Sequence, residues 1–282
     1  MNASATMKNL ALQCALLLTL ICICTAGGNT VRASASANEA IRHRVRIEGR
    51  GPLTVILEGG LGDTLEVWND VQPSIASRCA RTLAYNRAGY PGSNPASGPR
   101  DAQTIVAELR AELKDRGIAP PYVLVGHSLG GLYMQYFARQ YPDEVSGLVL
   151  IDSTHWNQQL QMAPQATGAY SGRGAVVLFM TWIARRELAD SADAGNQVHV
   201  SPHAGHVPAI VLSSTQGTRG ETPSLRTQAA RLQEDIVADF PAARQIRVDG
   251  SGHYIQRDRP DVVINSAREL AGCRPLQARQ LN

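Results

Sequence analysis

Short apolar runs alternate with longer stretches of helical periodicity along most of the chain. Residues 42–47 (RHRVRI) alternate polar and apolar positions, as a half-buried strand does. Residues 53–57 (LTVIL), 83–86 (LAYN), 122–125 (YVLV), 148–151 (LVLI), 210–212 (IVL) and 245–248 (QIRV) are short runs bounded by turn residues. Residues 101–117, 129–141, 223–239 and 260–272 carry helical spacing between them. This alternation predicts an α/β fold: a mostly parallel central sheet with helices on both faces. Residues 153–206 break the rhythm and contain one hydrophobic helix candidate, Val176–Leu188. An insert of that length between two strands predicts a small helical cap.

The amino terminus follows a different pattern. Leu10 to Ile23 is apolar apart from Gln13 and Thr19, Lys8 precedes it, and Ala33-Ser34-Ala35 and Ala35-Ser36-Ala37 follow. That layout predicts a secretory signal peptide and cleavage region over residues 1–37, with export to the periplasm or the medium. The competing reading is an uncleaved membrane anchor. Residues 38–282 then form a single domain with its cap at about 153–206. Beyond residue 40 the longest apolar run, 175–184 with Thr181 inside it, is too short to span a bilayer, so no stable membrane insertion is expected after cleavage.

Composition narrows the class further. With 44% hydrophobic and 18% charged residues, the chain has the balance of a globular protein rather than a disordered or fibrous one. The formal charge is +3, and loss of Lys8 and Arg32 with the signal segment leaves +1. A nearly neutral chain without a basic run argues against nucleic acid as a partner. Cys14, Cys22 and Cys24 lie in the signal segment, which leaves Cys79 and Cys273 as a pair. In an oxidising compartment these two suit a disulfide, and two buried thiols are the alternative.

The candidate chemistry centres on Gly126-His127-Ser128-Leu129-Gly130-Gly131, a G-x-S-x-G pattern between the run YVLV and the helical stretch LGGLYMQYFARQY. Such a strand–turn–helix setting forces the serine onto a tight elbow with its Oγ exposed. Here the chain resembles the α/β-hydrolase family. The segment Gly250-Ser251-Gly252-His253, after the last strand and before the final helix, is similar to the family's histidine loop. The resemblance implies Ser128 as nucleophile and His253 as base. It offers two places for the acid. The strand PAIVLSS lacks the usual Gly-x-x-Asp after it and leads instead to Glu221, whereas Asp152 ends the strand LVLI, 24 residues beyond Ser128. Asp152 is the preferred assignment, with Glu221 and Asp249 as alternatives. Oxyanion donors are expected from the Leu129 N–H and from the Glu58-Gly59-Gly60-Leu61-Gly62-Asp63 loop, where Gly60 is assigned the role. This loop looks like the family's His-Gly segment with Glu58 in the histidine's place. The segment Tyr85–Ser93, similar to the family's Asp-Arg-x-Gly-x-Gly-x-Ser stretch, is read as structural.

The resemblance implies a serine hydrolase acting through an acyl-enzyme and needing no cofactor. The substrate class it implies is a small-molecule ester, with an amide or a short peptide bearing an N-terminal proline as the alternative. A binding module that uses the same fold without turnover is the rival from another class. His199, His203 and His206, spaced four and three apart, invite a metal reading, but the intervening Pro202 and Gly205 make a shared helical face unfavourable, so no metal is assigned. Phe179, Met180 and Trp182 are candidates either for an acyl pocket or for packing of the cap.

Overall fold

In a computed structural model, the described residues are 42–77, 79–158, 180–217 and 221–273. Residues 1–37, expected above to be a signal peptide, and 159–179 of the insert, including Phe179, lie outside them. Seven strands form one sheet: β1 (Arg44–Glu48), β2 (Leu53–Glu58), β3 (Ala80–Asn86), β4 (Tyr122–His127), β5 (Val145–Ile151), β6 (Ala209–Ser214) and β7 (Ala243–Val248). Their order is β1-β3-β2-β4-β5-β6-β7. All neighbours are parallel except β1, which pairs antiparallel with β3 at one edge. Each predicted strand is present; β1 starts two residues later and ends one later than expected, and the other six are longer by one to three residues at one or both ends.

The main helices are α1 (Ala102–Asp115), α2 (Leu129–Gln140), α3 (Trp182–His199), α4 (Pro223–Asp239) and α5 (Pro260–Leu270). They divide the core into two layers, one on each face of the sheet. Side chains of successive strand residues point to opposite faces. Thus Ile56, Leu124, Leu148, Leu150 and Val211 pack with Leu109, Leu132, Phe137 and Ile236 on one face. Val55, Leu57, Val125, Val149 and Ile210 pack with Trp68, Ile75, Val263 and Ile264 on the other. Because both faces are covered, the central strands read as unbroken apolar runs rather than as alternations.

The helix found in the 153–206 insert departs from the expected boundaries. Helix α3 begins at Trp182, where the Thr181 Oγ1 accepts from the Ala184 N–H at 3.3 Å, and runs to His199. Its second half, ADSADAGNQVH, is too polar to register as a hydrophobic stripe. It nonetheless buries Ser191, Ala194, Gly195 and Val198. Small residues allow close approach here: a Cβ at Gly195 would lie 2.3 Å from the Trp156 carbonyl oxygen. Trp182 is 61% exposed, so it is not part of the cap's packing. His199 closes the helix with its ring stacked on Trp156, centroids 3.9 Å apart. Among the described residues no helix is long and apolar enough to cross a membrane. Cys79 and Cys273 form a disulfide with their Cα atoms 5.8 Å apart, tying the start of β3 to the chain beyond α5.

Candidate active site

The candidate residues converge at the carboxyl ends of β4, β5 and β7, the edge where open α/β sheets present their ligand crevice. Ser128 follows β4 directly and adopts φ 52° and ψ −123° before the chain enters α2. A non-glycine residue in that region is strained and is held by its surroundings. The Ser128 N–H donates to the Ile151 carbonyl at 3.0 Å, and the Ser128 carbonyl accepts from the N–H groups of Gly131 and Thr154 at 2.9 and 3.0 Å. The flanking glycines are steric requirements. A Cβ at Gly130 would sit 2.3 Å from the Gly59 oxygen, and one at Gly131 would sit 2.1 Å from the Ser153 Oγ. Ser128 itself is partly exposed between buried neighbours.

Asp152 ends β5 with a second positive φ, 41°. The turn that carries it is gripped from behind. The Gln233 amide donates to the Ser153 carbonyl at 2.7 Å, and the Gln135 amide donates to the Ser153 Oγ and the Thr154 carbonyl, both at 3.0 Å. Asp152 is thereby aimed at His253: its Oδ2 lies 2.7 Å from Nδ1 of the imidazole. Its Oδ1 accepts from the N–H and the hydroxyl of Ser214 at 3.1 and 3.0 Å. Burial works against the Asp152 charge, yet the hydrogen bonds from His253 and Ser214 outweigh it and hold the carboxyl below the usual carboxylate range. Glu221 and Asp249 are not the groups on the His253 Nδ1. Ser214 went unrecognised in the sequence, although it ends the strand adjacent to β5.

Asp63 is another residue the sequence reading passed over. Its Oδ2 accepts from the Gly60 N–H at 3.0 Å and lies 3.1 Å from the His127 Nδ1, while its Oδ1 accepts from the Tyr254 hydroxyl at 3.3 Å. The other His127 nitrogen lies 3.0 Å from the His253 carbonyl oxygen. The ring thus faces two acceptors; a neutral tautomer serves one of them and the charged ring serves both. These bonds hold the nucleophile segment, the histidine loop and the 59–63 loop together. They also correct one expectation. The Gly60 amide, assigned as an oxyanion donor, is already engaged by Asp63. What Gly60 presents to the nucleophile is its bare Cα: a Cβ there would lie 3.1 Å from the Ser128 Cβ.

Beneath this loop lies a buried ionic cluster. Glu58, where the family has histidine, is fully buried and accepts from the Tyr85 hydroxyl and from Arg87. Burial pushes its carboxyl up, with the Arg87 guanidinium pulling the other way. Arg87 also donates to the Gly59 and Gly60 carbonyls, each at 2.8 Å, and to both carboxylate oxygens of Glu187 on α3 at 2.6 and 2.7 Å. The segment 85–93 is structural, as expected, but its structure serves the site.

The strand order and the strand-end site define a doubly wound α/β protein with its working edge at the carboxyl ends of the strands. The fold is the α/β-hydrolase fold: a family profile described as the alpha/beta hydrolase fold matches residues 53–171. The uncharacterized protein YqjL of Bacillus subtilis is 26% identical over 222 residues, covering 78% of this chain and 84% of that protein. An esterase from Thermogutta terrifontis superposes with a TM-score of 0.58 at 19% identity, over 83% of this chain and 94% of that one. The enol-lactonase of Burkholderia xenovorans LB400 superposes with a TM-score of 0.56 at 20% identity, over 83% of this chain and 98% of that one.

Proposed function

We propose that the protein is an exported serine hydrolase that cleaves a carboxylic ester through Ser128, His253 and Asp152. The observation that carries this reading is the 2.7 Å pairing of Asp152 with the His253 Nδ1, in chain order after a serine held at positive φ on a strand–helix elbow. With the Nδ1 proton held by the carboxylate, the Nε2 is left to act as the base. Ser128 Oγ attacks the ester carbonyl while His253 Nε2 takes the hydroxyl proton, and Asp152 stabilises the imidazolium. The tetrahedral oxyanion is received by the Leu129 N–H and by a second amide of the 59–62 loop. Collapse expels the alcohol, which leaves with the proton from His253. Water, deprotonated by His253, then releases the acid.

Two solved neighbours, an esterase and an enol-lactonase, support the choice of an ester over an amide. Export is supported by the apolar segment with its Ala-x-Ala sites and by the disulfide, a bond that persists in oxidising compartments. The test is fluorophosphonate labelling followed by mass spectrometry. Labelling is expected on Ser128, absent in Ser128→Ala, and slowed roughly 10³–10⁴-fold in Asp152→Asn, which imposes the wrong imidazole tautomer. A folded wild-type protein that does not label at Ser128 defeats the reading. Full-rate labelling of Asp152→Asn moves the acid elsewhere.

A further inference from the structure

The loop 59–62 contains three consecutive peptide groups, and the structure accounts for them one by one. The Gly60 N–H goes to Asp63 at 3.0 Å, and the Gly62 N–H goes to the Tyr90 hydroxyl at 3.0 Å. The amide between them, Leu61, has no acceptor among the described residues. The peptide plane relates that amide to Arg87. The Gly60 carbonyl and the Leu61 N–H belong to one trans peptide and point in opposite directions. Arg87 Nη2 grips the carbonyl at 2.8 Å, so the N–H is turned away from the guanidinium.

Arg87 is in turn set by the cap. Its five N–H groups are all engaged: by Glu58 and the Gly59 carbonyl on Nη1, by Glu187 on Nε, and on Nη2 by the Gly60 carbonyl, Glu187 and the Tyr90 hydroxyl, the last at 3.0 Å. Glu187 takes two of them in a fork and also accepts from the Tyr90 hydroxyl at 2.6 Å. One carboxylate on α3 therefore touches both groups that clamp the Leu61 amide, Arg87 on the carbonyl before it and Tyr90 on the N–H after it, and these two are also bonded to each other. Glu187 is fully buried and lies outside the catalytic trio.

We propose that Glu187 is a positioning residue that acts from the cap helix through Arg87 and Tyr90 to aim the Leu61 N–H as the second oxyanion donor beside Leu129. The inference rests on the serine-hydrolase reading and adds the identity of the donor and the means by which the cap controls it. It makes the cap helix part of the catalytic apparatus and not only a cover.

Arg87 faces two carboxylates, so removing the charge at 187 leaves it paired one-to-one with Glu58. The full-length protein and its Glu187→Ala, Glu187→Gln and Tyr90→Phe variants would be compared with p-nitrophenyl butyrate and a fluorophosphonate, well below each thermal midpoint. Glu187→Ala is expected to lower kcat and the labelling rate at least tenfold with KM within about twofold, since losing an oxyanion donor outright costs about 10²–10³ in kcat. Glu187→Gln, which keeps an acceptor for Arg87, should recover most of that loss. Tyr90→Phe, which frees the Gly62 amide, should lower kcat several-fold. A merely structural Glu187 would lower the midpoint and leave kcat unchanged, and that result overturns the proposal. If Glu187→Ala does not fold, Glu187→Gln and Tyr90→Phe decide it, and wild-type kcat in both overturns it. Absence of Ser128 labelling in wild type would instead defeat the hydrolase reading, and this inference with it.

Discussion

Removing the disulfide gives a perturbation whose size follows from the chain's own geometry. The Cys79–Cys273 bond joins residues 194 apart and so closes most of the domain into one loop. In the chain-entropy account, cross-linking a loop of that length removes freedom from the unfolded ensemble worth about 5 kcal/mol at 25 °C. Net stabilities of single domains are roughly 5–15 kcal/mol, so this one bond is comparable with the whole margin. Cys273 is buried against α5 and Cys79 packs beside it, so serine replacements add a small polar-burial cost of the same sign. The assay is equilibrium urea unfolding of the oxidised protein, of the Cys79→Ser/Cys273→Ser double variant, and of wild type under excess dithiothreitol. The double variant and the reduced wild type should lose a similar 3–5 kcal/mol, with a fall in Tm of roughly 10 °C or more. The denaturant slope should rise slightly as the uncrosslinked unfolded chain exposes more surface. A loss below about 1 kcal/mol in the double variant would refute the loop-entropy argument. It would mean that the bond only secures the end of α5.

Other expectations can be checked more briefly. Gly130→Ala places a Cβ 2.3 Å from the Gly59 oxygen and 2.7 Å from the Glu58 oxygen, both backbone, so it should cost about 1–3 kcal/mol and displace the oxyanion loop enough to slow fluorophosphonate labelling. Gly117→Ala is the control: φ is +64° but nothing lies within 4 Å, so about 1 kcal/mol of backbone strain and unchanged labelling are expected. Equal labelling rates in the two variants would count against the steric argument. Acid should destabilise the fold early. Burial holds His43 and His155 below their usual pKa of 6.5, so the unfolded chain takes up protons first and stability falls as the pH drops below that value. Asp63 and Asp152, held below 3.8, add a loss of the same sign at lower pH, whereas Glu58, pushed above 4.5, opposes it. Thermal midpoints measured from pH 7.5 downward should decline from about pH 6.5. A flat or rising midpoint across that window would contradict the assignment of buried neutral histidines.

The sheet was legible in the sequence because burial on both faces leaves continuous apolar runs such as LTVIL and YVLV, and these appear as β2 and β4. Three of the candidate site residues, Ser128, Asp152 and His253, stood out in the sequence for a related reason. An elbow serine needs glycines at fixed offsets, and strand ends such as Asp152 and the His253 loop sit at recognisable points in the strand–helix rhythm. What escaped were groups whose roles depend on contacts between distant segments. Ser214 caps Asp152 only because β6 lies beside β5. Asp63 engages Gly60 and His127 only because the β2 loop closes over the elbow. Neither relation leaves any periodicity along the chain. The polar second half of α3 was missed because small residues, not apolar ones, pack it against Trp156. Apolar period and glycine spacing are local properties, and the sequence by itself determined the sheet, helices α1, α2, α4 and α5, and the elbow from them. The cysteine pairing, the carboxylate that meets His253 and the fate of each amide in the 59–62 loop are distances between segments far apart in the chain, which only the tertiary structure decided.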